Sequence, residues 1–476
     1  MFTETIVAKR TMVRRIQPAA TRPDSNSSPS RPWEPWAPSK QEPWDQRRVA
    51  HLHRRAGFAA TWPEIVRDLN GGHTDAIERF LSGSMLDVEA CEEFESAAET
   101  ISIAAKENPG SGRLHAWWFK RMLYSSDPLT EKLTLMLHNH FATSNTKVRS
   151  SRQMFQQNQI FRKHGRGDFG ELFSRVLQDP AILVYLDADS NRKSHPNENL
   201  GREMLELFSL GEGNYTEEDV RNAARCLTGW TVDRDTKHFV PEFHDGEEKV
   251  LLGKKGNFDG EDAIRIALEH PATAVRITKR VCNLLMGEGV VADTDFESLA
   301  VQFRKNNLNI NWLVETILKS NLFFSDANIG NRILSGVEFC VGYVRATGAL
   351  SPSPNTEVLA EWASRMGHRL LHPPTVFGFP EGRAWITSQW LIARKQFVTK
   401  LLDGKLHGQQ FEFLDSLKRM VGQSENVRDP RFLAALVLMN ADQSVVDQFE
   451  QVQQNEKADP KAMMLQILSS SLANLG

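Results

Sequence analysis

Asp187-Ala-Asp189-Ser-Asn191-Arg-Lys-Ser-His195-Pro-Asn197-Glu198-Asn199 separates two strongly apolar helical segments inside the stretch 179–230. A loop crowded with side-chain oxygens and amides, held between apolar helices, is where a site is built on a helical scaffold. Working outward, helix-spaced apolar residues recur on both sides of it. Upstream they predict helices over 113–125, 128–142, 149–164, 169–178 and 180–186. Downstream they predict 198–210, 217–227, 261–269, 273–286, 293–306, 310–319, 332–347 and 355–366, then 389–402 and on to the end. One stretch differs: residues 231–256 place β-favouring residues around Asp245-Gly246, which predicts a small hairpin with that step as its turn. The fold class is mainly α, a multi-helix array with one small β-hairpin excursion and no fixed repeat of the solenoid kind.

The organisation read from this pattern has three parts. Residues 1–43, rich in Pro and Ser and repeating a Pro-Trp step, form an arm expected to be disordered. Residues 44–400 form the helical core, with 231–256 as its hairpin insertion and Asp45 as the N-cap of its first helix. Residues 401–476 form a C-terminal helical extension, in which 432–440 and 460–475 are helical.

With 476 residues, 40% of them hydrophobic, the chain can bury a large core. The net charge of -3, from 57 basic and 60 acidic residues spread along the chain, provides no basic field for nucleic acid. No run approaches the roughly 20 apolar residues of a membrane span. Arg14-Arg15 is followed by no apolar h-region, so cytoplasmic residence is the default and a periplasmic location reached through a partner stays open. Cys91, Cys226, Cys282 and Cys340 are far apart in apolar surroundings and read as buried small hydrophobes.

On a helix over 128–142, Leu129, Leu133, Met136, Leu137 and His140 share one arc and His138 falls opposite, so His140 is the candidate interior imidazole. In 198–210, Leu200, Met204, Leu207 and Phe208 face inward, while Asn199 and Glu203 share an edge. Glu198, Arg202 and Glu206 follow at i, i+4 and i+8 as an ion-pair ladder. His140, Glu203 and Asn199 are therefore the candidate catalytic groups, and His140, Glu203 and Asp187 a candidate divalent-metal set. The structural alternative for each is a buried tie between helices. Asp187, Asp189, Asn191 and Glu198 also match positions 1, 3, 5 and 12 of a helix-loop-helix calcium loop. Arg192 stands where that loop needs Gly, and Lys193 follows it, so calcium is disfavoured.

Six blocks taken together resemble a large bacterial family known as domain of unknown function 1800: 44–58, 131–144, 179–187, 196–207, 224–230 and Gly382-Arg383-Ala384-Trp385. The resemblance covers about 44–397. It implies a mostly helical protein of unestablished activity, with relatives often encoded beside a second family similar to sulfatases and alkaline phosphatases. It adds His138, Asn139, Asn191, Asn197, Glu198, Arg202, Trp230, Arg383 and Trp385 as candidate binding residues. Relatives usually read Gly-Trp-Pro-Gly-Gly where this chain has Gly378-Phe379-Pro380-Glu381-Gly382, which would alter the stacking surface of any pocket there.

Two readings of function follow. In one, His140, Asn199 and Glu203, with Asp187, meet in a cleft and hold a cofactor or metal or support metal-assisted hydrolysis. In the other, the chain is a non-catalytic scaffold or accessory partner of a sulfatase- or alkaline-phosphatase-like protein.

Overall fold

A computed structural model describes residues 31–84, 88–107, 112–408, 411–422, 427–439 and 459–476. Helices dominate them, and the described strands form two small two-stranded antiparallel sheets. The apolar residues collect in two large buried clusters. The first is built around Phe141, Phe161, Phe169, Phe173 and Phe208. The second gathers Trp117, Trp118, Phe339, Tyr343 and Phe397.

The helix Pro128–His140 serves both clusters: Leu129, Leu133 and Leu137 enter the first and Leu135 the second. An enclosed helix has no solvent face, so its polar residues are buried as well, Glu131, Lys132, His138 and His140 among them. The expected contrast between an inward His140 and an outward His138 is corrected here, because a face projection assumes that one side meets water. The buried charges are paired, as desolvation demands. Glu131 accepts from Arg121 and Arg162 at 2.8 Å each, and Lys132 pairs with Glu338.

Helix Gln46–Ala56 follows the same logic with a more polar sequence. Asp45 caps it, accepting from the Arg48 amide at 2.9 Å. Its Arg48, His51, His53, Arg54 and Arg55 are nonetheless buried. They fasten loop backbone: His51 donates to the Phe323 carbonyl (3.0 Å), Arg54 to Val437 (2.6 Å) and Arg55 to Asn328 (3.1 Å). Such bonds satisfy carbonyls in the interior, and the Phe323 carbonyl takes a second one from Asn328 Nδ2 at 2.8 Å.

The Pro-Trp part of the arm is docked on the body. Trp36 is buried, and its amide donates to the Lys319 carbonyl at 2.8 Å. Trp33 and Trp44 donate their indole N–H groups to the Asp295 and Asp68 carbonyls at 3.1 and 3.0 Å. A tryptophan buries a large apolar surface once its N–H finds an acceptor, which anchors a segment that proline keeps from becoming helix. Residues 1–30 of the expected disordered arm lie outside the described residues, as does Asn440 at the end of the expected 432–440 helix. Helices Pro430–Val437 and Pro460–Ser469 place Leu433, Leu436, Met464 and Ile467 in the second cluster. Cys226, Cys282 and Cys340 are buried free thiols, and the side chain of Cys91 is outside the description. No described helix is long and apolar enough to cross a membrane.

Asp245-Gly246 is not a hairpin turn. Strand β1 (Trp230–Asp233) pairs with β2 (Thr236–Phe239), and β3 (Lys249–Leu251) with β4 (Lys254–Gly256), giving two hairpins on either side of that step. The β3–β4 turn is Leu252-Gly253, both at positive φ (48° and 77°), the combination that suits a two-residue hairpin loop. Asp245 instead accepts from Arg225 Nε at 2.6 Å and ties the insertion to the helix Glu217–Cys226.

Candidate functional site

The polar loop folds onto itself. Asp187 adopts a left-handed conformation (φ 56°) and accepts from Lys147 at 2.7 Å and from the Asn199 side-chain Nδ2 at 3.3 Å. The Asp189 carboxylate takes the Val232 amide at 2.7 Å. Buried Asn191 donates to the Ala224 carbonyl (2.8 Å) and accepts from the Asn197 amide (2.9 Å). Asn197 caps the helix Glu198–Glu203, and Arg202 bridges Glu198 (2.9 Å) and Glu217 (2.7 Å). The residues aligned with calcium-loop positions are thus held by a lysine, backbone amides and an arginine, the partners of a fastened interhelical turn.

The expected helix over 198–210 changes pitch halfway. It is α-helical over Glu198–Glu203 and π-helical over Met204–Ser209, with Leu210 N–H donating to Leu205 at 2.9 Å. The wider turn redirects its last carbonyls, and two are taken by side chains from elsewhere. Arg276 donates to Leu207 at 2.7 Å and His140 to Phe208 at 3.1 Å. Burial, then Arg280 and Arg276, hold the His140 imidazole well below its ordinary pKa, so it is a neutral donor. Glu203 is half-buried, and its charge, after burial, raises the Tyr185 hydroxyl pKa. His140 is thus engaged by the Phe208 carbonyl, while Glu203 bears on Tyr185. Among the described residues, no cluster of three or more His, Cys, Asp or Glu could hold a metal ion, so the sets proposed from His140, Glu203 and Asp187 and from the calcium loop gain no support.

His138 is buried between Trp118 and Phe379 and accepts from the Leu371 amide at 3.0 Å; burial pushes its pKa down to about 3. Trp230 is a core residue with Lys237 Nζ 4.0 Å from its ring centroid.

Asn139, Arg383 and Trp385 come together elsewhere, on a cleft of about 740 Å³. One wall comes from the helices Pro128–His140 and Pro271–Met286, and the other from the segment 379–385. Asn139 positions that segment, accepting from the Phe379 amide at 2.6 Å and donating to Glu381 at 3.1 Å. Gly378 permits this approach: at φ 88° it already favours glycine, and a Cβ there would collide with the Asn139 side chain. Phe379, His368 and Trp385 form an aromatic wall, with the His368 ring 4.4 Å from Phe379 and 5.1 Å from Trp385. Arg280 pairs with Glu381 at 2.6 Å, and Arg332 with buried Glu338 at 2.5 Å.

Arg280, Arg332, Glu288 and Glu338 were not singled out in the sequence, because each lies in an ordinary helical or loop context and they meet only in three dimensions. The pointers were the family-derived candidates Asn139, Arg383 and Trp385 and the departure at 378–382, of which Phe379, Pro380, Glu381 and Gly382 line the cleft. The family described as "Protein of unknown function (DUF1800)" matches residues 51–473. The chain belongs to this family. The DUF1800 match includes most of the C-terminal segment read from sequence as an extension, consistent with the shared second cluster. No curated protein and no solved structure matches the chain.

Proposed function

We propose that this DUF1800 protein is a small-molecule-binding protein whose site is the cleft between helix Pro271–Met286 and the 379–385 segment. One observation carries this reading: guanidinium groups and an aromatic wall converge on a single concavity of about 740 Å³, within the roughly 300–1,000 Å³ typical of ligand sites. Acid-base or metal-assisted hydrolysis by His140, Asn199 and Glu203 has weaker support, since His140 is occupied by the Phe208 carbonyl and Asn199 by Asp187.

Thermal-shift screening of a metabolite library tests the proposal, using the wild type and Asn283→Trp, a variant that fills the cleft from its half-exposed wall. At least one compound should stabilise the wild type and leave the variant unmoved. Compounds that act equally on both, or none that act at all, would end the reading.

The accessory-partner reading has one feature in its favour. Phe377, Ile386, Leu391 and Ile392 are exposed apolar residues in the segment bordering the cleft, with Phe377 at 67% and Ile392 at 59%. Co-purification with a sulfatase- or alkaline-phosphatase-like protein, lost in Phe377→Ser/Ile392→Ser, would support it. Unchanged co-purification would detach that patch from any partner.

A further inference from the structure

The cleft is lined by three guanidiniums, Arg280, Arg332 and Arg383, and three carboxylates, Glu288, Glu338 and Glu381, which differ in how far they are already paired. A guanidinium carries about five N–H donors and no acceptor. Arg280 gives Nη1 to Glu381 at 2.6 Å, while its buried Nε has no partner. Arg332 gives Nη1 to Glu338 at 2.5 Å, and exposed Arg383 has no side-chain partner among the described residues. Of the three carboxylates, Glu338 and Glu381 are already engaged. Glu338 takes Lys132 and Arg332 on Oε1 and the Ser335 amide, at 3.0 Å, on Oε2. Glu381 takes both Arg280 and Asn139 on Oε1.

Charge lies behind the floor as well. Lys132 and Arg55 are fully buried next to Arg332, and Glu338 is the one carboxylate whose field acts on both. Three cations therefore share one buried anion. Glu288, at the mouth, has no side-chain partner among the described residues; burial and then Glu381 raise its pKa, so it gives up its charge more readily than an ordinary glutamate.

Resting on the binding-cleft reading, we infer that the occupant is an organic anion, with phosphate or carboxylate oxygens on the guanidiniums of Arg332 and Arg383 and a flat ring against Trp385 and Phe379. Arginine suits this head group because its fork matches two oxygens at once, and the aromatic wall suits a planar body. A cleft of about 740 Å³ is also far larger than a free phosphate ion requires, which points to a body attached to the charge.

Calorimetric titration with phenyl phosphate, benzoate and benzylamine separates the possibilities, since the probes share a ring and differ in the charge they carry. At least one of the two anions should bind about tenfold or more tightly than benzylamine. Comparing the two anions identifies the head group, and inorganic phosphate alone should bind more weakly than phenyl phosphate. The preferred anion should lose about tenfold in affinity with Arg383→Gln, whose exposed side chain leaves thermal unfolding unchanged, and should gain affinity with Glu288→Gln. Benzylamine binding as tightly as the anions, in a manner blocked by Asn283→Trp, would overturn the inference and keep the cleft. Anion binding indifferent to both Arg383→Gln and Asn283→Trp would place it elsewhere and overturn the inference, and so would the absence of binding by every probe at millimolar concentration.

Discussion

The loop at 187–199 and the cleft at 379–385 are both rich in polar side chains, yet they use them in opposite ways. In the loop, donors and acceptors answer one another: Asp187 meets Lys147 and Asn199, and Asn191 meets Ala224 and Asn197. In the cleft, Arg280 and Arg332 are only partly engaged by Glu381 and Glu338, and Arg383 lines the opening with no side-chain partner among the described residues. Polar content alone does not mark a ligand site. Donors left unused do, because the ligand supplies their acceptors.

The strongest way to break this comparison is at Glu338, where the cleft floor meets the core. Burial works against its charge, yet Arg332 and Lys132 outweigh it and hold the carboxyl well below the usual range. Glu338→Gln would leave fully buried Lys132 facing an amide, and urea unfolding should show a loss of about 3–5 kcal/mol. A loss below about 1 kcal/mol would mean that water reaches the pair, making the floor equivalent to the surface loop.

Asp179 sharpens the contrast, because it is a buried carboxylate with no cation beside it among the described residues. Its Oδ2 accepts from Gln157 at 2.9 Å and from the Ala181 amide at 3.2 Å, and burial pushes its pKa up to about 7. Unfolded Asp titrates near pH 3.9, so the folded state holds this proton more tightly. The associated stability is present below that value and is lost as pH rises towards about 7, at about 1.4 kcal/mol per pKa unit. Asp179→Asn should flatten the profile between pH 4 and 7 and exceed wild-type stability at pH 8. Parallel urea-midpoint profiles for the two proteins would show that Asp179 is not held neutral.

How far the sequence could reveal all this depended on how local each signal was. The helical architecture followed from apolar spacing, and the cap at Asp45 from a residue next to its helix. Two features defeated local reading. A helix between two cores has no outer face, so the projection misplaced His138. A π-turn inserts an extra residue from Met204 onward, a change of pitch that apolar spacing did not reveal even though Leu200, Met204, Leu207 and Phe208 are all buried as expected. The cleft was harder still: Arg280, Arg332 and Arg383 are about fifty residues apart at each step, and only tertiary packing makes them neighbours.

His140 tests whether the histidine once paired with Glu203 belongs with the fastened groups or with the open ones. His140→Ala removes the donor to the Phe208 carbonyl and should cost about 1–3 kcal/mol in chemical unfolding. Affinity of the cleft for its ligand, measured by calorimetry on the folded variant, should hold. Lost binding with preserved stability would return His140 to the site and weaken the distinction between the two regions.

The smallest effect is expected at Asp187, in the loop that looked most like a site. Its pair with Lys147 is 45% and 43% exposed, and pairs of that kind contribute about 0–1 kcal/mol and weaken with salt. Asp187→Asn isolates the charge, because asparagine also tolerates the left-handed backbone that Asp187 adopts. The urea midpoint should barely move in low salt and not at all in high salt, and ligand affinity at the cleft should be unaffected. A shift above about 2 kcal/mol exceeds what a solvated pair supplies, so it would mean that the loop carries uncompensated charge, the property assigned here to the cleft.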